Sequence, residues 1–183
     1  MDKKNNANIP HITALTSPDT NNGDGCRLTI WVAGCTHDCP ECQNKWMQKY
    51  NIGKPLDYKM MQLIIEKCNH PYIDGITLSG GDPMDQTVES LTLLTRFLKL
   101  FKEYYPDKTV WVYTGCMWTE VYYNVRKRWM LKYIDVLVDE PFDKSLKSIT
   151  IPFRGSTNQH IIDVQKSLKV KHMVTIPDET FIH

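Results

Sequence analysis

Residues 28–44, LTIWVAGCTHDCPECQN, join a short apolar run to a loop that contains three of the six cysteines of the chain. The apolar run, 28–33, is typical of a buried strand. The loop that follows it spaces Cys35, Cys39 and Cys42 as C-x3-C-x2-C. Three thiolates on one tight loop bind a metal far better than they bind one another. The stretch therefore predicts a metal site at the carboxyl end of the first core strand.

Two kinds of metal centre fit this spacing. A structural zinc site needs four ligands, usually from two separated pairs, and no second C-x2-C is present. A fourth zinc ligand would have to come from His37, Cys68, His70 or Cys116. An iron–sulfur cluster held by three thiolates instead leaves one iron open to another ligand. The spacing favours the cluster, with zinc as the alternative.

Composition narrows the class of protein. A chain of 183 residues is most simply one domain, since domains average about 150 residues. Its 22 basic and 21 acidic side chains nearly cancel, which gives no reason to expect nucleic acid or a membrane as partner. Residues 1–8 lack the apolar segment of a signal peptide. We expect a cytoplasmic protein, where closely spaced cysteines indicate metal or catalysis rather than disulfides.

The order of elements predicts an α/β fold with a mostly parallel sheet, because strands alternate with helices. Residues 1–22 are predicted to be a flexible N-terminal segment and 23–183 a single domain. A complete eight-unit barrel needs about 250 residues, so a partial (β/α) barrel or an open sheet is expected. Strands are predicted at 27–33, 75–79, 110–113 and 134–138, strand pieces at 149–151 and 161–164, and helices at 45–51, 56–69, 87–105 and 118–132.

Polar and glycine-rich residues gather where the predicted strands end, at Cys35, Gly80, Thr114 and Asp139. The carboxyl ends of parallel strands are where α/β proteins bind ligands, so these positions are expected to converge on one site. Gly80-Gly81-Asp82-Pro83 is either an ordinary turn or a place where a ligand approaches the backbone. In the second case Asp82 would accept a hydrogen bond from an ammonium group.

The two motifs together resemble those of radical S-adenosylmethionine enzymes. Four further stretches resemble one branch, the activating proteins of anaerobic (class III) ribonucleoside-triphosphate reductase. The resemblance extends from Asn22 to Val164, and the RGSTNQ sequence within its last stretch is the most discriminating part. These four stretches are 22–25 (NGDG), 111–115 (WVYTG), 136–139 (VLVD) and 153–159 (FRGSTNQ).

The resemblance implies a partial barrel of the radical S-adenosylmethionine type and a [4Fe–4S] cluster on Cys35, Cys39 and Cys42. S-adenosylmethionine would occupy the open iron. Its adenine end would meet the backbone around Cys42, and its amino group would meet the strand end after Ser79. The residues implied in cosubstrate binding are Glu41, Cys42, Gln43, Gly80, Gly81 and Asp82. Two positions depart from relatives, since Glu41 usually is glycine and Asp82 is glutamate in the wider superfamily.

The implied activity is reductive cleavage of S-adenosylmethionine to a 5′-deoxyadenosyl radical, which installs a glycyl radical on the reductase. The reductase and a low-potential donor such as flavodoxin are the implied partners. One alternative is a small-molecule radical enzyme such as a carboxy-deazaguanine synthase, and another is a non-enzymatic zinc-binding module. Asp139 either binds ribose or caps a loop. Arg154 and Asn158 either face the partner or form a turn, and Cys26, Cys68 and Cys116 are expected to be buried or spare thiols.

Overall fold

The central element is a seven-stranded mixed sheet, seen in a computed structural model that describes residues 8–181. The strand order is β3-β1-β2-β4-β5-β6-β7. The three pairings from β2 through β4 and β5 to β6 are parallel, whereas β1, β3 and β7 pair antiparallel at the two edges. The strands are β1 His11–Asp19, β2 Arg27–Val32, β3 Lys54–Pro55, β4 Gly75–Gly80, β5 Thr109–Tyr113, β6 Val136–Val138 and β7 Ile161–Asp163.

The predicted α/β class is confirmed, but the sheet is parallel only in its middle. A parallel connection needs a long crossover, and the chain supplies crossovers between β2 and β6. After β6 it returns through a loop and pairs β7 antiparallel. The helices are α1 Tyr58–Lys67, α2 Val88–Tyr104, α3 Trp118–Tyr123, α4 Val125–Leu131 and α5 Val164–Val170. Within the part of the chain described, no helix is long and apolar enough to cross a membrane.

Helix α2 illustrates how local sequence specifies an element. Thr87 caps it by accepting a hydrogen bond from the Ser90 backbone N–H at 3.2 Å. Its apolar side chains recur at helical spacing and form one buried face that packs on the sheet, which is the pattern of an amphipathic helix. The buried apolar residues of this face are Leu91, Leu94, Phe97, Leu98 and Phe101.

Three predicted elements differ from the structure. The helix predicted at 118–132 is two helices, because Asn124 has an extended backbone and its side chain caps α4 by accepting two backbone N–H groups. The helix predicted at 45–51 is a single 3-10 turn, Lys45–Gln48. The strand piece predicted at 149–151 is a loop in which Ile149 is 91% exposed, so its apolar character reflects no core position.

Part of the segment predicted to be flexible, 1–22, is instead a regular strand. Residues 11–19 form β1, which pairs with both β2 and β3. Residues 11–19 mix Ile12, Ala14 and Leu15 with polar residues and a proline, so their own pattern is weak. The hydrogen bonds come from β2, which follows after a short connection, and from the more distant β3. Asp19 then turns the chain by accepting the Asn21 N–H at 2.8 Å and the Asn22 amide at 2.7 Å. Residues 1–7 lie outside the described range, and the single domain over 23–183 stays a prediction.

Arg27 is a buried cation that ties the amino ends of the parallel strands together. It is fully buried and donates to Thr77 Oγ1 at 2.7 Å and to the Ile76 carbonyl at 2.7 Å. It also donates to the carbonyl and hydroxyl of Thr109, both at 3.0 Å, and to the Asp24 carbonyl at 2.9 Å. The guanidinium thus donates hydrogen bonds to acceptors in β4, in β5 and in the loop before β2 at the same time.

Replacing Arg27 by leucine is expected to lower the free energy of unfolding by at least about 3 kcal/mol, because several buried acceptors would lose their donor. Urea unfolding of the cluster-free protein measures this change. The matched control is Arg126→Leu, since exposed Arg126 only covers the Trp129 ring at 5.1 Å, a contact worth about 1 kcal/mol or less. Equal effects of the two changes would contradict the strand-linking role of Arg27.

Candidate cluster-binding site

An open cleft lies at the carboxyl ends of β2, β4 and β5, with about 870 Å³ of empty space including its mouth. Three of the four strand ends singled out in the sequence meet here, namely Cys35, Gly80 and Thr114. The residues that line the cleft include Cys35, His37, Cys39, Cys42, Gln43, Ser79, Gly80, Gly81, Gly115, Glu140, Phe142, Gly155 and Gln159.

All three loop cysteines line this cleft and are half-buried. The loop begins where Gly34 donates its N–H to the Met47 carbonyl at 2.7 Å, which folds the loop back on the 3-10 turn. Within the loop, the Cys42 N–H donates to the Cys39 carbonyl at 3.2 Å. This tight turn places the second and third thiols on the same side as the first.

Left-handed backbone conformations concentrate around the same cleft. Asp38 has φ 48°, Glu41 has φ 57°, Glu140 has φ 70° and Phe153 has φ 54°. Residues other than glycine rarely adopt such angles, and proteins retain this strain mainly at functional sites. Two of these four lie in the cysteine loop and the other two in the opposite wall or its support, whereas a fifth, Lys171 with φ 63°, ends α5 elsewhere. Four of the five such residues in the described part of the chain therefore lie in the cysteine loop or in the segments at 140 and 153.

Two of the loop thiols, those of Cys35 and Cys39, have pKa values above that of a free cysteine. Burial, reinforced by the nearby Asp82 carboxylate, raises the pKa of the Cys35 thiol to about 12. Burial also raises the pKa of the Cys39 thiol. A metal binds thiolate rather than thiol, so loading this loop must release protons.

The spacing of the ligand atoms tests zinc against a cluster. Residues 8–181 contain three groups of possible metal ligands whose ligand atoms all lie within 4.8 Å of one another. None of these groups contains two of the three loop cysteines. A single zinc with bonds of about 2.3 Å would bring its thiolates to within about 3.8 Å of one another. An iron–sulfur cluster gives each thiolate its own iron, so it tolerates a wider spread. The loop fits a cluster better than a single zinc.

The glycine pair at the end of β4, Gly80 and Gly81, lets two strand ends approach closely. A Cβ on Gly81 would lie 2.5 Å from the Gly34 carbonyl oxygen, and Gly80 has φ 110° with the Val32 backbone close by. The Gly81 N–H donates to the Val32 carbonyl at 2.7 Å. Both glycines also line the cleft, so the close packing and the exposure to a ligand occur at the same backbone.

The Asp82 carboxylate is used by protein donors. It is fully buried, and its Oδ1 accepts the backbone N–H groups of Met84 at 2.7 Å and Asp85 at 3.2 Å. Its Oδ2 lies 2.8 Å from His37 Nε2 and accepts from Thr114 Oγ1 at 3.0 Å and from the Gly115 N–H at 2.9 Å. The carboxylate predicted to meet an ammonium group is thus already surrounded by donors.

His37 belongs to this network, although its place in the sequence does not predict that role. Its only signal was its position between two cysteines, which indicates a possible ligand but no partner. In the structure the hydrogen bond to Asp82 raises the pKa of His37 to about 10. Lys127 and His37 both approach the buried Cys116 thiol, at 2.9 and 3.7 Å, so this thiol has polar neighbours.

The remaining predicted residues divide between the cleft and its supports. Gln43 lines the cleft, whereas the Glu41 side chain is exposed and pairs with Lys144. Asp139 lies in a neighbouring cavity, where it accepts the Trp118 N–H at 2.9 Å at the start of α3. This is the capping contact considered above. It also lies 3.0 Å from His160 Nδ1.

Residues 153–159 form the wall opposite the cysteine loop. Arg154 pairs with Asp178 and donates to the Gln159 carbonyl at 3.0 Å. Asn158 donates to the Pro141 carbonyl at 2.9 Å. These internal contacts give the segment a fixed shape, and through Gly155 and Gln159 it reaches the cleft.

A three-thiol loop at the carboxyl edge of a mixed α/β sheet defines an iron–sulfur protein, and comparison with known proteins supports this class. The family model described as "4Fe-4S single cluster domain" matches residues 21–162. The chain belongs to this family and, within it, to the anaerobic ribonucleoside-triphosphate reductase-activating proteins. The resemblance found in the sequence is thereby confirmed.

Three relatives that carry this name cover most of the chain. The protein of Pasteurella multocida (strain Pm70) is 39% identical over 145 residues, 78% of this chain and 90% of the relative. That of Escherichia coli (strain K12) is 36% identical over 143 residues, 77% of this chain and 90% of the relative. That of Enterobacteria phage T4 is 32% identical over 141 residues, 76% of this chain and 85% of the relative.

Proposed function

We propose that this protein activates an anaerobic ribonucleoside-triphosphate reductase as a radical S-adenosylmethionine enzyme of the cytoplasm. The observation that carries the proposal is the convergence of Cys35, Cys39 and Cys42 on one cleft with no fourth cysteine among its lining residues. The names of the relatives supply the identity of the partner. Because these relatives span more than three quarters of the chain, the small-molecule alternative is not favoured.

The three thiolates would hold a [4Fe–4S] cluster with one iron open to S-adenosylmethionine. When bound, the cluster supplies the electron that cleaves this cosubstrate to methionine and the 5′-deoxyadenosyl radical needed for glycyl radical formation. A low-potential donor such as flavodoxin would provide that electron. The role of the chain is to bind the cluster, orient the cosubstrate and shield both from water.

Two parts of the cleft wall would orient the cosubstrate. Gly80 and Gly81, with Ser79 before them, form a wall without bulky side chains against which the amino end of methionine would lie. The backbone at Cys42 and Gln43, on the loop, would meet the adenine end. Glu41 would contribute only its backbone here, since its side chain pairs with Lys144.

The mouth of the cleft suits a macromolecular substrate. Its outer wall consists of Glu140 and Phe142, together with Gly155 and Gln159 of the opposite segment. We infer that a glycine-bearing segment of the reductase enters between this wall and the cysteine loop and completes the exclusion of water. On this view, the run from β2 to β6 is the partial barrel expected for radical S-adenosylmethionine enzymes.

Anaerobic reconstitution with iron and sulfide tests the proposal. We expect 5′-deoxyadenosine formation to rise severalfold when reductase is added, together with a glycyl radical signal in electron paramagnetic resonance spectra. The matched control is a reductase in which the radical-bearing glycine is alanine, which should give no such signal. Equal cosubstrate cleavage with and without reductase, and no radical in either case, would contradict the proposed activity.

A further inference from the structure

Two buried carboxylates lie directly beneath the cysteine loop. Asp82 and Asp85 belong to the turn that follows β4, and they are 0% and 6% exposed. The turn is fixed to the base of the loop because the Asp82 N–H donates to the Gly34 carbonyl at 2.7 Å. The Gln86 amide strengthens this junction by donating to the Ala33 carbonyl at 3.0 Å.

Asp85 holds the residue that follows the first cysteine. Its Oδ2 accepts both the backbone N–H and the hydroxyl of Thr36, each at 2.6 Å. The Tyr50 hydroxyl donates to the same oxygen at 3.2 Å and to the Asp85 carbonyl at 2.9 Å. The backbone one residue beyond Cys35 is therefore held firmly.

Asp82 holds the next residue and links it to another strand end. One carboxylate oxygen contacts the His37 ring, the Thr114 hydroxyl and the Gly115 N–H, at 2.8 to 3.0 Å. The ring lies so close to Gly115 that a Cβ there would stand 2.7 Å from it. His37 is thus clamped between the end of β4 and the end of β5.

The other half of the loop is held by weaker contacts. The Cys42 N–H donates to the Cys39 carbonyl at 3.2 Å. Glu41 pairs with Lys144 through side chains that are 59% and 61% exposed, and such exposed ion pairs contribute little. Strong, buried anchoring is therefore concentrated on the segment between Cys35 and Cys39.

We propose that Asp82 and Asp85 are positioning residues that hold the 35–39 segment in its cluster-binding conformation before any metal arrives. Asp82 accordingly acts through His37 and the turn after β5 rather than by contacting the cosubstrate. The nature of the group that the loop receives rests on the proposed function, but the anchoring itself does not. Both buried charges are satisfied by these donors, as a buried carboxylate must be.

Hydrogen exchange of the cluster-free protein, read by mass spectrometry, tests the anchoring without any cofactor. In Asp85→Asn and in His37→Asn, amides in 35–39 should exchange at least about tenfold faster than in the unaltered protein. The matched control is Asp38→Asn, a carboxylate-to-amide change at an exposed position of the same loop, which should leave exchange unchanged. Unaltered exchange in both His37→Asn and Asp85→Asn would overturn the proposal.

A second measurement separates positioning from direct contact with the cosubstrate. After anaerobic reconstitution, His37→Asn should lose iron to a chelator several times faster than the unaltered protein. In those clusters that remain, adding S-adenosylmethionine should still change the electron paramagnetic resonance spectrum at an unchanged affinity. Asp82→Asn should behave in the same way if it folds, and His37→Asn carries the test if it does not. Weaker cosubstrate affinity in Asp82→Asn, with unchanged exchange and iron retention, would overturn the proposal in favour of direct contact.

The two proposals fail in different ways. If the unaltered protein bound a single zinc, or if S-adenosylmethionine did not change its electron paramagnetic resonance spectrum, the proposed function would be wrong. The exchange data on cluster-free protein would still decide whether the carboxylates anchor the loop.

Discussion

Replacing any one of Cys35, Cys39 or Cys42 by alanine is expected to reduce bound iron from about four atoms per chain to near zero. All three thiols line one cleft and no other cysteine lines it, so the loss of one leaves no substitute. Anaerobically reconstituted protein should change from brown to colourless. Iron and sulfide analysis, together with the visible absorption spectrum, measures the effect.

Cys26→Ala and Cys68→Ala are the matched controls. Cys68 is fully buried in the main core and Cys26 packs against that core, so neither thiol belongs to the cleft. Each variant should retain the full iron content, even if Cys68→Ala loses about 1 kcal/mol of stability through the small cavity. Loss of iron in Cys68→Ala would contradict a three-thiolate site. A colourless unaltered protein with one zinc would contradict the cluster itself.

Gly34→Ala is expected to destabilise the cluster-free protein by roughly 3 kcal/mol or more. Gly34 has φ 99°, a conformation that costs an alanine about 1–2 kcal/mol. The new Cβ would also stand 2.1 Å from the buried Tyr50 ring, and overpacking adds about 1–3 kcal/mol. Urea unfolding followed by circular dichroism measures the change, and iron uptake should fall with it because the next residue is Cys35.

Gly155→Ala is the control for this effect. Gly155 also lines the cleft, but an added Cβ would meet the edge of the Phe142 ring at 3.0 Å, and that half-buried side chain can shift. Its cost should stay below about 1 kcal/mol. A Gly34→Ala variant as stable as Gly155→Ala would show that the loop base is not held as tightly as the structure indicates.

The elements that the sequence predicted well are those whose signal is local. The strand at 28–33, the helix that became α2 and the spacing of the three cysteines each depend on residues within one turn or one loop. Periodicity, a threonine cap and ligand spacing are properties of short segments, so they can be recognised without knowledge of the rest of the chain. The likeness of 153–159 to relatives is local in the same sense.

The elements that the sequence did not predict depend on partners outside their own segment. Residues 11–19 form β1 because β2 and β3 supply its hydrogen bonds, and apolar Ile149 lies in a loop because no surface covers it. The antiparallel pairing of β7 is likewise a property of the returning chain rather than of its own residues.

The cysteine loop shows the same division within one site. The candidate metal ligands were readable from residues 35–42 alone, because thiol chemistry and spacing are local. That Asp82 is enclosed by His37, Thr114 and Gly115, and so supports the loop, was not readable, because these donors come from strand ends far apart in sequence. Local sequence is enough to predict the candidate ligands, whereas the burial of a carboxylate among distant donors was determined only when the sheet brought those strand ends together.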